Sequence, residues 1–285
     1  MVCIVCGSPQ IAGLAPWHAR CRACQYESAS LQVAINDHVD GPGIDEAQRE
    51  ASLKALRLEN FKTITTLAQR CAPGGRRLLD VGSAHGWFLE TASERFEVLG
   101  IEPDEAVREP TLARGLPVRA GYFPDALQAG ETFDVIVFND VIEHIPDIRS
   151  ALGACRERLT ADGILILNLP NSRGFFYRLS KLMVRCGWRA PFERLWQKGM
   201  PSPHVHYFDN ANLATLLHSH GFEPAHSEEL PVLRAAGLLQ RMRYAGNIPT
   251  VSLYLQYVLI LATIPLLRLF PSDIIVCIFR KKTAA

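Results

Sequence analysis

The sequence has almost no net charge: 30 basic and 29 acidic side chains leave +1 with histidine neutral. A surface built throughout to hold nucleic acid needs a large basic excess, so that class is disfavoured, although charge can still gather locally. The first 24 residues lack both the basic stretch and the apolar stretch of a secretory signal, so the expectation is a cytoplasmic protein. No internal repeat is visible, which sets stacked-repeat architectures aside. Most of the chain is poor in cysteine. Cys71, Cys155, Cys186 and Cys277 are scattered, while the other four fall within residues 1–24 as two close pairs. That distribution excludes a secreted disulfide framework and reads as metal binding. Residues 248–267 lack charge altogether.

The pairs are Cys3-x-x-Cys6 and Cys21-x-x-Cys24, separated by fourteen residues. Four thiolates so spaced suit a closed, structural, tetrahedral zinc site, and His18 has no vacancy to fill beside them. Residues 1–30 are therefore read as a small zinc ribbon. Residues 31–75 form a linker, with Asp37, Asp40, Gly41, Pro42 and Gly43, and then an amphipathic helix carrying Leu53, Leu56, Phe61, Ile64 and Leu67. Residues 76–285 form the main domain.

Strand patterns at Arg77–Val81, Val98–Glu102, Val118–Ala120, Phe133–Asn139, Ile164–Leu169, Phe222–Ser227 and Ile274–Phe279 are separated by helical stretches at about 86–95, 104–114, 147–159 and 209–220. Short apolar strands alternating with helices predict an α/β fold with a mostly parallel sheet and helices on both faces. With 285 residues, 48% of them apolar, the chain can bury one such core plus a small appendage.

The most informative segment is Leu78-Leu79-Asp80-Val81-Gly82-Ser83-Ala84-His85-Gly86-Trp87-Phe88. An apolar strand runs into Asp80, a turn holding Gly82 and Gly86, and then a helix. Glycine allows close backbone approach to a ligand, and a helix N-terminus favours an anionic group. Sixteen residues after Gly86 the second strand ends in Glu102, where a carboxylate can accept both hydroxyls of a ribose. The run lacks G-x-G-x-x-G, so a dinucleotide site fits less well.

These residues resemble the class I S-adenosylmethionine-dependent methyltransferases, with the family's acidic residue and alternate glycines standing as Asp80-x-Gly82-x-Ala84-x-Gly86. The middle glycine is alanine, a small change expected to leave the loop intact. The resemblance covers residues 77–229 and extends toward 280. It includes Phe133–Ile145, Leu159–Asn171 and His206-Tyr207-Phe208 before a helix ending at Gly221-Phe222. It implies a Rossmann-like seven-stranded sheet, S-adenosylmethionine as cofactor, and a binding set of Asp80, Gly82, Ser83, Ala84, Gly86, Glu102, Pro103, Asn139, Asp140 and Val141. The acidic residue that often follows the third strand is absent, so Tyr122 and Phe123 are expected to offer adenine an aromatic face instead.

Methyl transfer from a sulfonium needs alignment and, for a hydroxyl acceptor, a base. His144 is the expected base with Glu143 as its orienting partner, and His206 is a further catalytic candidate beside His204. His218, His220 and His226 read as surface residues. Asp140-x-x-Glu143-His144 also resembles the metal motif of quinone O-methyltransferases, a second reading in which a divalent cation polarises the acceptor oxygen.

Two insertions, 172–203 and 231–271, interrupt the domain. Residues 173–198 hold seven basic side chains and one acid. Phe175, Phe176, Leu179, Leu182, Met183 and Cys186 are expected on one helical face, with Arg178, Lys181 and Arg185 on another. The uncharged run 248–267 has bilayer length, but a crossing would strand Ile274–Phe279 on the far side, away from the sheet. Shallow insertion, with Arg234, Arg241, Arg243 and Arg268 at the headgroups, reconciles the two. The expected protein is a peripheral enzyme at the inner face of the membrane, methylating a small-molecule or lipid-linked acceptor such as a glycan or quinone precursor. An RNA methyltransferase using the ribbon is the alternative, and the absence of an Asn-Pro-Pro-aromatic motif at Asn139-Asp140-Val141-Ile142 speaks against it. A non-catalytic partner-binding protein is the third, weakened by the intact cofactor loop.

Overall fold

The computed structural model describes residues 1–33, 46–235, 237–244 and 249–282, so the expected linker around Asp37–Gly43 lies outside the described residues. Three short strands open the chain: β1 (Gln10–Ala12), β2 (His18–Cys21) and β3 (Glu27–Ala29). The long helix α1 (Glu46–Cys71) leads to β4 (Arg77–Val81), α2 (Trp87–Ala92), β5 (Glu97–Glu102), α3 (Glu105–Ala113), β6 (Val118–Ala120) and β7 (Phe133–Asn139). A 3-10 turn, Ile142–His144, precedes α4 (Ile148–Arg158) and β8 (Leu159–Pro170). The first insertion contributes α5 (Phe175–Arg185) and α6 (Ala190–Leu195), and the two-residue β9 (His206–Tyr207) follows it. Then come α7 (Asn210–Ser219), β10 (Phe222–Leu230), α8 (Leu238–Tyr244), α9 (Thr250–Leu267) and β11 (Ile274–Lys281).

Seven strands form one sheet in the order β10-β11-β8-β7-β4-β5-β6. Pairing is parallel from β8 through β6, and β11 and β10 add antiparallel at the far edge. The sheet grows one way from β4 through β5 and β6, then the chain crosses back to place β7 and β8 on the other side. That reversal opens a crevice at the carboxyl ends of β4 and β7, where open α/β sheets bind ligands. The central strands are buried on both faces, so they read as continuous apolar runs rather than alternating ones. One face packs Leu79, Phe138, Leu165 and Leu213, and the other packs Leu78, Phe88 and Val135 under Phe61, Ile64 and Leu67 of α1. Asp104, Asp147 and Asp209 cap α3, α4 and α7 by accepting backbone N–H bonds, which places those helix starts where the sequence suggests. Strand β8 starts five residues before its apolar run, because Leu159 pairs with Phe133 across a register irregularity.

The ribbon is not a separate bead. β9 joins its sheet in the order β1-β2-β3-β9, pairing Glu27 with Tyr207 and Ser28 with His206. Cys3, Cys21 and Tyr26 are buried in the same apolar cluster as Phe138 and Leu213.

In the first insertion, helix α5 buries Tyr177 and Ser180 and leaves Leu182 of its apolar face 54% exposed. Tyr177 decides this. It stacks on Tyr207 at 4.1 Å, packs with Phe192 and Trp196, and its hydroxyl donates to Glu27 at 2.8 Å, so the ring can be buried without an orphaned hydroxyl. The second insertion folds as a helix pair. Leu238 and Met242 of α8 pack on Leu253, Tyr257, Ile260 and Ile264 of α9. The outer face of α9 stays exposed, with Val251 at 84% and Leu255 at 72%. β11 returns to the sheet between β10 and β8, as its place beside the other strands requires.

Candidate active site

The glycine-rich turn lies at the carboxyl end of β4. Gly82 and Gly86 both have φ of +70°, and the amides of Gly82 and Ser83 donate to the Ile101 carbonyl at 2.8 and 3.0 Å, tying the turn to β5. A Cβ at Gly82 would lie 2.7 Å from a Val141 methyl, so no side chain fits between this turn and the one after β7. Ala84 is also left-handed, at φ +43°, a conformation that glycine adopts far more readily.

Glu102, at the end of β5, is nearly buried. Its Oε2 accepts from the Ala84 amide at 2.8 Å and its Oε1 from the Asp104 amide at 2.9 Å. Those bonds aim the carboxylate along the turn, while burial pushes its pKa up. Asp80 is buried and accepts from Asn139 Nδ2 at 3.2 Å; burial raises its pKa to about 8. Ser83 Oγ and Asn139 Oδ1 are buried without a partner among the described residues. A clamped carboxylate at the end of β5 and a left-handed, glycine-rich turn at the end of β4 suit the ribose and methionine ends of S-adenosylmethionine, so the residues fit that cofactor. Pro103 follows Glu102. Tyr122 is half-exposed, and Phe123 packs edge-on against Phe138 at 5.7 Å, where it narrows the same side.

Asp140 takes a left-handed conformation (φ +54°), its amide bonds the Asn168 carbonyl, and its carboxylate accepts from Arg57 of α1 at 3.3 Å. The 3-10 turn then presents Glu143 and His144. Nδ1 of His144 bonds the Pro203 carbonyl at 3.0 Å, which sets the tautomer whose Nε2 carries the lone pair. That Nε2 lies 3.9 Å from Glu143 Oε1, and His204 Nε2 lies at the same distance from the same oxygen. Burial, and then the Asp140 charge, push the Glu143 carboxyl well above the usual carboxylate range. Burial and the neighbouring His144 lower His204 to about 3.

His206 is placed differently from the expectation of a catalytic group. It is buried, its Nδ1 bonds the Tyr26 hydroxyl and its Nε2 donates to the Ile145 carbonyl at 3.0 Å. Both ring nitrogens are thus committed to joining the ribbon to the domain, and burial lowers its pKa to about 4. The metal motif is rearranged as well. Glu143, His144 and His204 bring three ligand atoms within 4.8 Å of one another, and Asp140 stands outside this group on Arg57. His204, a candidate from the sequence, does join the site, whereas Arg57 enters it from a distant helix that no sequence spacing announces. His218, His220 and His226 lie exposed or half-exposed.

In the ribbon, Cys3 and Cys24 Sγ atoms are 3.5 Å apart, as are those of Cys6 and Cys21, and all four lie within 4.8 Å of one another. A disulfide needs about 2.05 Å, whereas sulfurs about 2.3 Å from one tetrahedral metal sit roughly 3.8 Å apart, so the four thiols fit a metal and not two bridges. His18 is not a ligand. Its Nδ1 accepts from the Leu14 amide and its Nε2 bonds Glu27 at 2.8 Å.

An open sheet with this strand order, a glycine-rich turn on its first parallel strand and a clamped acid on the next defines a Rossmann-like cofactor-binding class. A family model described as a methyltransferase domain matches residues 48–227. The chain belongs to this family, that of the class I S-adenosylmethionine-dependent methyltransferases. It is 34% identical over 134 residues to a ubiquinone biosynthesis O-methyltransferase of Paramagnetospirillum magneticum, covering 44% of this chain and 53% of that one. It is 31% identical over 114 residues to a protein of the same name from Hahella chejuensis, covering 37% and 48%. The chain thus spans about half the length of these curated relatives. Solved structures share the fold: magnesium protoporphyrin IX methyltransferase of Synechocystis (TM-score 0.53, 10% identity, 86% of this chain and 91% of that one) and an Archaeoglobus fulgidus methyltransferase (0.51, 17%, 80% and 97%).

Proposed function

We propose that this chain transfers a methyl group from S-adenosylmethionine to a hydroxyl of a small-molecule or lipid-linked acceptor at a membrane surface. The observation that carries the proposal is the clamp of Glu102 on the Ala84 and Asp104 amides, beside the glycine-rich turn. The cofactor supplies an already activated methyl group when bound. Glu102 then binds the ribose hydroxyls, while Asp80 and the amides of the Gly82–Gly86 turn hold the methionine end, with Ser83 and Asn139 completing the polar wall. Asp140, Val141, Pro103, Tyr122 and Phe123 shape the adenine side.

His144 Nε2 takes the proton of the acceptor hydroxyl as the oxygen attacks, a contribution of about 10²- to 10⁴-fold for a positioned base. Glu143 orients it: a buried carboxyl 3.9 Å away ionises more readily once the imidazole is charged. A divalent cation on Glu143, His144 and His204 is the second reading, favoured by the three convergent ligand atoms. Methyl transfer that survives chelation and is not raised by added magnesium or manganese removes it.

A structural zinc on Cys3, Cys6, Cys21 and Cys24 belongs to the proposal, as does the division into a ribbon (1–30), a linker and helix (31–75) and a methyltransferase domain (76–285). Association with the inner face of the membrane is supported by α9, an 18-residue uncharged helix with exposed outer leucines. Calorimetry tests the cofactor: wild type should bind S-adenosylmethionine, and Gly82→Arg and Glu102→Ala should each weaken binding at least tenfold. Equal affinity in all three proteins sinks the reading.

A further inference from the structure

A cavity of about 790 Å³ lies away from the glycine-rich turn. It opens between the ribbon, α5 and the stretch that follows α9. Its volume falls within the roughly 300–1,000 Å³ of small-molecule sites. Ser172, just past the end of β8, lines it together with Asp209, and the Ser172 amide donates to the Phe208 carbonyl at 2.7 Å. The cavity therefore sits toward the carboxyl edge of the sheet, the edge that also carries Gly82 and Asp140.

The charges on its wall are unequal. Five cations face it, Arg20 of the ribbon with Arg173, Arg178, Lys181 and Arg185, against two acids, Glu27 and Asp209. Both acids are already committed. Glu27 is buried and held by His18, Tyr177 and Lys181, while Asp209 is buried, caps α7 and accepts from Arg173 at 2.7 Å. Arg20, Arg178 and Arg185 are left with no carboxylate partner among the described residues. Three guanidinium groups on one cavity repel each other unless an anion joins them, and the planar fork of arginine matches phosphate oxygens.

The remaining wall is apolar. Phe175, Leu179, Leu182 and Phe270 line it, and Leu182 and Phe270 are also 54% and 48% exposed. Phe270 lies three residues past the end of α9, whose outer face presents Val251, Leu255, Val258, Leu259 and Leu266. An apolar surface, broken by the exposed Arg268 at the end of α9, thus runs from a helix of bilayer character to the mouth of a cationic cavity.

We propose that this cavity binds the phosphate or diphosphate headgroup of a membrane-held acceptor, with its hydrocarbon tail passing out along Leu182 and Phe270 toward α9. Arg178 and Arg185 are the main anion contacts. Arg20 makes the ribbon a specificity-determining wall of the acceptor site, a role for this module beyond closing the N-terminus. The proposal rests on reading the chain as a methyltransferase of a lipid-linked acceptor, but the anion site is testable without turnover.

The test is calorimetry on the zinc-loaded full chain with farnesyl diphosphate, farnesol and inorganic diphosphate, each below its aggregation limit. Farnesyl diphosphate should bind at least tenfold more tightly than either other probe. Arg178→Ala and Arg185→Ala should each weaken it about 10- to 100-fold, the range of a charge-assisted bond. Arg20→Ala should weaken it several-fold, and Arg185→Lys should recover part of the loss. The arginines are exposed or half-exposed, with no ion-pair partner among the described residues, so the melting temperature and S-adenosylmethionine affinity of each variant report folding. Unchanged farnesyl diphosphate affinity in the folded Arg178→Ala and Arg185→Ala variants overturns the proposal. So does farnesol binding as tightly, which makes the cavity a plain apolar cleft, or inorganic diphosphate binding as tightly, which makes it a site for free phosphates. If the wild type fails to bind S-adenosylmethionine, the methyltransferase reading falls, and the farnesyl diphosphate series still decides the anion site by its own result.

Discussion

Ala84 and Asp80 carry opposite kinds of cost in the cofactor turn. Ala84 is left-handed without being glycine, so Ala84→Gly should stabilise the protein by up to about 1 kcal/mol, read as a higher melting temperature, once glycine's extra unfolded-state freedom is subtracted. Asp80 has a charge problem. Burial holds its carboxyl at about 8 even though Asn139 favours the ionised form. Its folded pKa lies above its unfolded one, so its contribution to stability is present below about pH 4 and is lost as the pH rises through 8. A cationic ligand end reverses that preference. S-adenosylmethionine affinity should therefore rise between pH 6 and pH 8.5, and calorimetry in buffers of different ionisation enthalpy should detect a released proton. A flat profile would separate Asp80 from the methionine end. The histidines offer a sharper contrast. His144→Ala should lower kcat about 10²- to 10⁴-fold, with a smaller stability loss of about 1 kcal/mol from the freed Pro203 carbonyl. His206→Ala should cost roughly 2–5 kcal/mol, because it orphans the Tyr26 hydroxyl and the Ile145 carbonyl, yet leave the turnover of the folded fraction within a few-fold.

Among the elements, the joint between β3 and α5 depends on Glu27. Burial pushes its carboxyl up, but the His18 hydrogen bond and the Lys181 ammonium outweigh burial and hold it below the ordinary value. A buried, multiply bonded carboxylate contributes through what its loss leaves behind. Glu27→Ala should cost about 3–5 kcal/mol, with Lys181 and the Tyr177 hydroxyl left unpaired. Tyr177→Phe should cost about 1–3 kcal/mol, and denaturant titration separates the two. Helix α9 is the element most exposed to apolar solvent chemistry. Its inner face is covered by α8, so Leu255→Asp with Leu259→Asp should leave the fold intact while abolishing flotation with liposomes. Wild type should float with anionic vesicles even at high salt, since its apolar term of about 25 cal/mol per Å² is not screened. A wild-type chain that stays with the soluble fraction under all conditions would make α9 a surface for another protein.

At the scale of the whole molecule, the ribbon shares a strand pairing and a core with the methyltransferase domain, so loss of the proposed metal should not remain local. With zinc on the four thiols as proposed, chelation should lower the main melting transition and weaken the β3–β9 pairing, seen as faster amide exchange at Ser28 and Tyr207. A separate low-temperature transition for residues 1–30, with the main one unmoved, would show instead that the ribbon folds on its own.

Local patterns were enough for what depends on neighbours along the chain. The alternation of apolar runs with helical stretches, the strand–turn–helix around Gly82 and Gly86, Glu102 at the end of its strand and the cysteine spacing were all legible, because strand burial, positive φ and close thiol pairs leave marks within a few residues. Other features needed the folded chain. Nothing near His206 foretells that its ring would bridge Tyr26 and Ile145 rather than face a substrate, since those partners lie 180 and 61 residues away. Likewise, the helical period of 173–186 marks an apolar face, but the face that is buried was chosen by Glu27, which offers the Tyr177 hydroxyl an acceptor 150 residues away. Burying a polar group requires a partner, and where that partner comes from the far end of the chain, only the tertiary fold supplies it.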